Sequence, residues 1–418
     1  MIKIKWPVYL PATLLTISCL TISCLTVSCQ KRPPLQNGIW KGELSVAGNK
    51  KAPFLFEVSH AETDSASVTL RNGAERVKLD SIHYRSDTLI IPITAFDACI
   101  KGIISGGTVD GTFIKNYIEN DPGIPFHATF GTRERFTPAE RIPDTGIDGK
   151  WDILFISEKG DTTRNVGIFE SDGATVTGSI LTRSGDLRYL EGVYTTSGVN
   201  LSAFGGQSPY LIEIRFTDDS TFSGKFHTAR SITEIVGMRN DNAELTDSGS
   251  PTRLKPGFQT LGFRLPNPEG INISLSDERY RGKVVVVSIL GSWCPNCLDE
   301  MEFLAPWYDA NRARGVEITG IAFERKNDFN YAKTALTRLK NRYGVNYEIL
   351  FGGEVGRESV ANALPELENF TSYPTTLFID RKGNVRKIHT GFNGPATGLF
   401  HEEFKREFNS LIDSLLSE

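Results

Sequence analysis

Two cysteines, Cys294 and Cys297, stand two residues apart in the run Trp293-Cys294-Pro295-Asn296-Cys297. With the pair at the start of a helix, both sulfur atoms can meet. One thiol then attacks a disulfide, and the other resolves the mixed disulfide that forms. The attacking species is a thiolate, and a helix start offers unpaired amides and the positive end of the helix dipole to hold it. Pro295 costs little in the first helical turn, where its missing N–H has no partner to lose. The competing reading is a structural pair or half of a zinc site. Zinc needs further ligands, and the chain has neither a second pair of this spacing nor a His near the first. No metal is expected.

The surrounding pattern predicts elements that would place the pair correctly. The uninterrupted Val/Ile run 284–290 reads as a buried parallel strand ending just before the motif. Residues 298–313 read as a helix, with Met301, Leu304, Trp307 and Tyr308 at helical spacing. A strand over 316–323, a helix over 331–343, and a hairpin of 375–380 and 384–388 about Lys382-Gly383 follow. A final amphipathic helix carries Phe400, Phe404, Phe408, Leu411, Ile412 and Leu415. Strand–helix–strand–helix, then hairpin and helix, is the thioredoxin order, so an α/β thioredoxin fold is expected over 256–418. The segment 352–371 exceeds a minimal thioredoxin and predicts a short helix over 357–364 that could shape a substrate groove.

Residues 256–418 resemble the TlpA/ResA-like thioredoxin-fold family of envelope-anchored thiol–disulfide oxidoreductases. The resemblance rests on Leu290-Gly-Ser-Trp-Cys-Pro-Asn-Cys-Leu-Asp-Glu-Met301, and on Tyr373-Pro-Thr-Thr-Leu-Phe-Ile-Asp380 followed by Lys382-Gly-Asn. It implies a cis Tyr373–Pro374 bond beside the dithiol, with the Tyr373 backbone exposed to an extended substrate segment. Substrate contacts are then expected at Trp293, Tyr373 and Pro374. The family also implies that Glu300 tunes the thiols, so the expected catalytic set is Cys294, Cys297 and Glu300. Cys297 and Glu300 are i, i+3 neighbours on one helix, although a solvated first-turn carboxylate would show the same spacing. One departure stands out. Ser288 lies six residues before Cys294, where thioredoxins proper carry a buried Asp. Ser cannot act as an acid–base group, so Glu300 or Glu324 would have to replace it, with a raised pKa. No cofactor is expected beyond a redox-active Cys294–Cys297 disulfide.

The N-terminus reads as an export signal. Lys3 and Lys5 precede an apolar, uncharged stretch from 8 to 27, and the polar run Gln30-Lys-Arg-Pro-Pro34 follows it. A five-residue unit recurs three times, ending at Cys19, Cys24 and Cys29, and resembles the lipobox of bacterial lipoproteins. Cys29 is the lipidation candidate because the apolar run stops there; Thr26 stands where Leu is usual. An uncleaved anchor or a plain secretory peptide remains the alternative. Processing before Cys29 would leave Cys99, Cys294 and Cys297 as thiols, which is not a disulfide framework. In an exported chain a lone close pair points to redox use. Cys99, in a strand-like run, reads as a small buried hydrophobe.

Between signal and dithiol the chain is β-rich. Short alternating runs are punctuated by Asn72-Gly73, Gly106-Gly107, Asp172-Gly173, Ser184-Gly185 and Gly205-Gly206, which predicts an antiparallel sandwich or barrel. Asn37-Gly-Ile-Trp40 matches Asp148-Gly-Lys-Trp151, and Val109-Asp-Gly-Thr-Phe113 matches Phe222-Ser-Gly-Lys-Phe226 at nearly the same spacing. Two copies of a β-meander are therefore expected, over 29–132 and 148–243, after a signal at 1–28. Nothing in the sequence separates Trp40 and Tyr210 as core residues from ligand platforms.

Lys+Arg 46 against Asp+Glu 50, a net charge of -4, argues against a nucleic-acid partner. The combined expectation is a periplasm-facing lipoprotein of a Gram-negative bacterium, held by a lipid anchor. It would act as a disulfide reductase on protein substrates and be reset by an upstream thiol donor. Two rivals stand beside it. One is a peroxiredoxin-like peroxidase, disfavoured by Leu-Gly-Ser-Trp before Cys294 where a Thr/Ser-x-x-Cys loop would be needed. The other is a non-enzymatic binding lipoprotein with an accessory thioredoxin-like part.

Overall fold

The computed structural model describes residues 1–2, 35–63, 65–85, 87–245 and 252–418. The expected signal segment, Cys19, Cys24 and the lipidation candidate Cys29 lie outside the described residues. Among the described residues no helix is long and apolar enough to cross a membrane.

The first repeat is a meander of nine strands: β1 (Gly38–Val46), β2 (Lys50–Ser59), β3 (Ser67–Asn72), β4 (Glu75–Lys78), β5 (His83–Arg85), β6 (Thr88–Ile93), β7 (Ala98–Ser105), β8 (Thr108–Lys115) and β9 (Ile124–Phe130). They form one sheet in the order β4-β3-β2-β1-β9-β8-β7-β6-β5. The last strand returns to lie against the first, Trp40 opposite Phe130, while β4 and β5 remain as edges.

The second repeat has the same plan: β10 (Gly149–Ile156), β11 (Thr162–Asp172), β12 (Thr175–Thr182), β13 (Gly185–Asp186), β14 (Leu190–Thr195), β15 (Gly198–Phe204), β16 (Pro209–Phe216), β17 (Thr221–His227) and β18 (Ile232–Arg239). Here β11 also pairs with β12, so eight strands close into a ring and β13 hangs on its rim. A closed ring leaves no edge strands open to pair with another chain.

The repeat is visible atom by atom. Trp40 and Trp151 are both fully buried. Each donates its Nε1–H to the carbonyl four residues earlier, Gln36 O at 2.9 Å and Ile147 O at 2.7 Å. Both are core residues. The recurring glycines make room for rings: a Cβ on Gly42 would lie 2.5 Å from the facing Phe54 ring, and one on Gly237 would lie 2.2 Å from Phe222.

The two β units share a core rather than hanging on a linker. Phe204 from β15 packs 4.7 Å from Phe54 and 5.3 Å from Phe113, centroid to centroid. The segment joining the repeats passes Arg135 through the seam. Its guanidinium is buried and donates to Ser202 O (3.1 Å), Asn72 Oδ1 (3.3 Å) and Glu191 Oε2 (3.3 Å). A charge buried this way is tolerable because it is paired and hydrogen-bonded.

The C-terminal part begins with short pairs, β19 (Arg253–Leu254), β20 (Arg264–Pro266) and β21 (Asn272–Ser274). Then follow β22 (Val284–Leu290), α1 (Pro295–Asn311), β23 (Val316–Glu324), α2 (Phe329–Tyr343), β24 (Glu348–Glu354), α3 (Arg357–Ala363), β25 (Leu367–Glu368), β26 (Thr375–Ile379), β27 (Val385–Thr390) and α4 (Leu399–Ser417). Five strands form the central sheet β24-β23-β22-β26-β27, with β22, β23 and β24 parallel and the hairpin antiparallel. All seven residues of β22 are buried, as expected for a strand covered by helices on both faces. The sequence reading omitted β24, a third parallel strand over the short run Glu-Ile-Leu-Phe, whose apolar content is too brief to separate from a loop. It also started the first helix too late. The helix begins at Pro295, so the motif lies in its opening turn, and it tolerates Pro306 in its interior.

The described residues from 35 to 418 form one compact unit. Several hydrogen bonds tie the first meander to α2: Tyr331 Oη to Asp97 Oδ2 (2.9 Å), Arg338 to Thr94 O (2.6 Å) and Arg342 to Lys78 O (2.9 Å).

Candidate active site: a dithiol walled by the β-sheets

Strand β22 delivers the chain to the helix start, and the backbone turns there through Gly291, Ser292 and Trp293. Cys294 is the N-cap of α1, with extended backbone, and its Sγ accepts the Cys297 N–H at 3.3 Å. The sulfur therefore sits where the first free amides of the helix converge, the arrangement that favours an anion. On its other side Cys294 Sγ lies 3.6 Å from the Tyr373 carbonyl oxygen, and the Tyr373–Pro374 bond is cis. Both thiols are free. Cys294 is 5% exposed and Cys297 only 1%, so the two are unequal: one reaches a cavity, the other lies behind it. Burial, and next the neighbouring Cys294, push the Cys297 thiol well above its ordinary value.

The loop before the dithiol is held from several directions. Trp293 donates Nε1–H to Phe323 O at 2.8 Å. The Arg325 guanidinium covers its ring at 4.4 Å, and Tyr373 meets it edge-on at 5.3 Å. Glu324, buried at the end of β23, accepts from Ser292 N (3.0 Å) and Ser292 Oγ (2.6 Å). Burial raises its pKa. Of the two carboxylates proposed to replace the missing Asp, Glu324 is engaged in holding this loop.

Glu300 is the other. It is 2% exposed, which rules out the solvated first-turn reading. Ser288 Oγ donates to its Oε2 at 2.6 Å, and Thr376 Oγ1 donates to Oε1. Desolvation outweighs these two donors and pushes its pKa up to about 7. Ser288, too weak an acid to handle a proton itself, thus positions the carboxyl that can. Cys99 stands apart, buried, its thiol donating to Asn116 Oδ1 at 3.5 Å and raised by burial.

The sequence reading missed the opposite wall. A cavity of about 350 Å³ opens on Cys294, Trp293 and Tyr373 on one side. On the other side stand Glu75, Asp186, Arg188, Gln207 and Tyr210 from the two β units. Tyr210 is thus a lining residue. Several contacts fix the walls together: Gln207 Nε2 donates to Trp293 O (3.3 Å), Asn296 Nδ2 to Ser184 O (3.1 Å) and Gly394 N to Asp186 Oδ1 (3.3 Å). One guanidinium bridges three parts of the fold. Arg188 Nη2 lies 2.7 Å from Glu75 Oε1 and 2.9 Å from Asp299 Oδ1, the latter on α1. Burial raises Asp299 to about 7, against the lowering effect of Arg188. Arg188 follows no motif and adopts a left-handed backbone, φ 58, so no periodic signal marked it. Among the described residues no group of three or more His, Cys, Asp and Glu is gathered as a metal would require.

Two buried thiols at the start of a helix, one of them lining a cavity, beside a cis-proline loop on a thioredoxin sheet, define a thiol–disulfide oxidoreductase. The family model and the curated relatives agree. The model of the AhpC/TSA family matches residues 256–388. Thiol-disulfide oxidoreductase ResA of Geobacillus kaustophilus is 30% identical over 140 residues, 34% of this chain and 72% of that protein. The Bacillus subtilis protein of the same name is 28% identical over 138 residues, 33% of this chain and 69% of its own length. Among solved structures, a thioredoxin-family thiol:disulfide interchange protein from Chlorobium tepidum is 20% identical. It covers 39% of this chain and 97% of its own, with a TM-score of 0.30. The C-terminal domain of a Bacteroides thetaiotaomicron protein, titled a putative thiol-disulfide oxidoreductase, is 18% identical and covers 38% and 97%, with a TM-score of 0.30. Through its C-terminal domain the chain belongs to the ResA family of thiol–disulfide oxidoreductases.

Proposed function

We propose that the protein is a disulfide reductase of the cell envelope, carried there by its N-terminal signal and anchored through lipidated Cys29. The observation that supports this best is the asymmetry of the two thiols about the helix start. Cys294 Sγ faces the cavity and accepts an amide N–H, while Cys297 is shut behind it.

In this reading the Cys294 thiolate attacks one sulfur of a substrate disulfide. A Cys294–substrate disulfide forms and the other substrate sulfur leaves as a thiolate, taking a proton. Cys297 then loses its proton, with Glu300 as the nearby group able to hold it, and attacks Cys294 Sγ. The second substrate thiolate departs and a Cys294–Cys297 disulfide remains. Two electrons have moved from the dithiol to the substrate, and an external thiol donor returns them. Trp293 and the Tyr373–Pro374 backbone border the place where the substrate sulfur must lie. Pro-Asn between the cysteines, without a His, favours reduction. A measured potential near about −120 mV, that of a strong oxidant, would overturn the direction.

Trapping tests the order of events. With Cys297→Ser, resolution stops and the substrate stays bound to Cys294, to be identified by mass; Cys294→Ser traps nothing. If instead Cys297 carries the adduct, the assignment of roles is wrong.

A further inference from the structure

The dithiol is not presented on an open surface. The cavity over Cys294 holds about 350 Å³, near the small end of the range for ligand pockets, roughly 300–1,000 Å³. A folded partner normally docks over about 800 Å² of its surface, and here residues of both β units stand across the cavity from Cys294. The wall they supply is also charged. Glu75 and Asp186 line the cavity, and Arg188 is the one cation among the lining residues. That guanidinium already bridges Glu75 and Asp299, and Asp186 is held by Gly394 N and Ser179 instead. Asp186 is 5% exposed and Asp299 7%, and burial raises both pKa values against the lowering effect of Arg188.

Resting on the oxidoreductase reading above, we propose that the two β units are the specificity element of this enzyme. They admit a disulfide carried on an extended chain segment with a basic residue next to the cysteine, and they turn away disulfides held on folded surfaces. The incoming cation meets Glu75 and Asp186 on the wall, where Arg188 is the one lining cation and is already engaged by Glu75 and Asp299, while an acidic neighbour finds no lining cation left to pair with. The chemistry at sulfur is unchanged: the same two electrons pass from the dithiol to the substrate.

The test uses the full chain, reduced, and measures kcat/KM for two disulfide-linked hexapeptide dimers, one with Lys on each side of Cys and one with Glu. Folded insulin and a neutral aromatic disulfide serve as further substrates. The Lys peptide should exceed the Glu peptide by at least about tenfold at low salt and exceed insulin as well. The preference should shrink in high salt, as screened charges lose range, and shrink in Glu75→Gln. The salt arm stands even if that variant folds poorly. Equal rates for the two peptides, a salt-independent ratio, or insulin reduced as fast as the Lys peptide would overturn the proposal while leaving the oxidoreductase intact. Failure to reduce even the neutral aromatic disulfide would instead remove the reading on which it rests.

Discussion

Glu300→Gln is the substitution that most directly interrogates the site. The wild-type carboxyl is buried on the inner face of the dithiol helix and held near 7 against its ordinary 4.5, with burial as the main cause. At about 1.4 kcal/mol per pKa unit, ionising it in the folded state costs about 3 kcal/mol relative to the unfolded chain. The sign follows from proton counting. Below about pH 4.5 both states hold the proton and the contribution to stability is complete. As pH rises the unfolded chain releases its proton first, so stability falls, and the contribution is gone once pH passes the folded value of about 7. Gln keeps the volume and can still bond Ser288 and Thr376 through its amide, but does not titrate. Urea unfolding of the full chain, at half-unit steps from pH 4.5 to 8.5, should show wild type losing about 3 kcal/mol more than the variant across that window. The pH profile of substrate reduction should lose its inflection near 7 in the variant, because the group able to hold the Cys297 proton is gone. Parallel stability curves would refute the raised pKa and with it the proton-holding role, and an unchanged rate profile would refute that role alone.

Other outcomes follow from the interface and the repeats. Arg188→Met strands Glu75 and Asp299 without their shared partner and should destabilise the chain by about 3–5 kcal/mol, the cost of breaking a buried ion pair from one side. A loss under 1 kcal/mol would mean that water already reaches the bridge. Trp40→Phe and Trp151→Phe should each cost about 1–2 kcal/mol, and by similar amounts. Both remove a buried N–H donor and leave a carbonyl bare; unequal midpoints on thermal unfolding would show that the repeats do not share this device. Gly185→Ala should loosen the contact between the β rim and the dithiol helix. Its backbone is left-handed, and a Cβ would lie 2.1 Å from Asn296 Nδ2 and 2.7 Å from Phe392 O. Faster amide exchange in residues 292–298 is the expected reading, and unchanged exchange would place the rim contact outside the site.

The residues around the dithiol were legible because local rules act there. The spacing of Cys294 and Cys297, the Val run of β22 and the amphipathic pattern of α4 each depend on neighbours within a few positions, and periodicity reports them. The paired Trp40 and Trp151 motifs likewise carried the repeat, since each bonds its own chain four residues back. The single sequence could not distinguish a closed ring from an open sheet. That depends on whether β12 reaches past β13 to pair with β14, as it does here, whereas in the first repeat β4 and β5 stand as open edges.

Nor could the sequence show that Glu75, Asp186 and Arg188 face Cys294. They sit on loops and strand ends far from it along the chain, in no periodic pattern, and only packing the β units against the dithiol domain brings them together. Glu300 illustrates the division. Its position on the helix was fixed by three-residue spacing. Whether it lay in water or under the sheet was decided by Ser288 and Thr376, on β22 and β26, closing over it. Sequence thus set the nucleophile and the scaffold that presents it. Tertiary packing set the protonation, the access and the charge of the site, because those are properties of burial, and burial is not local.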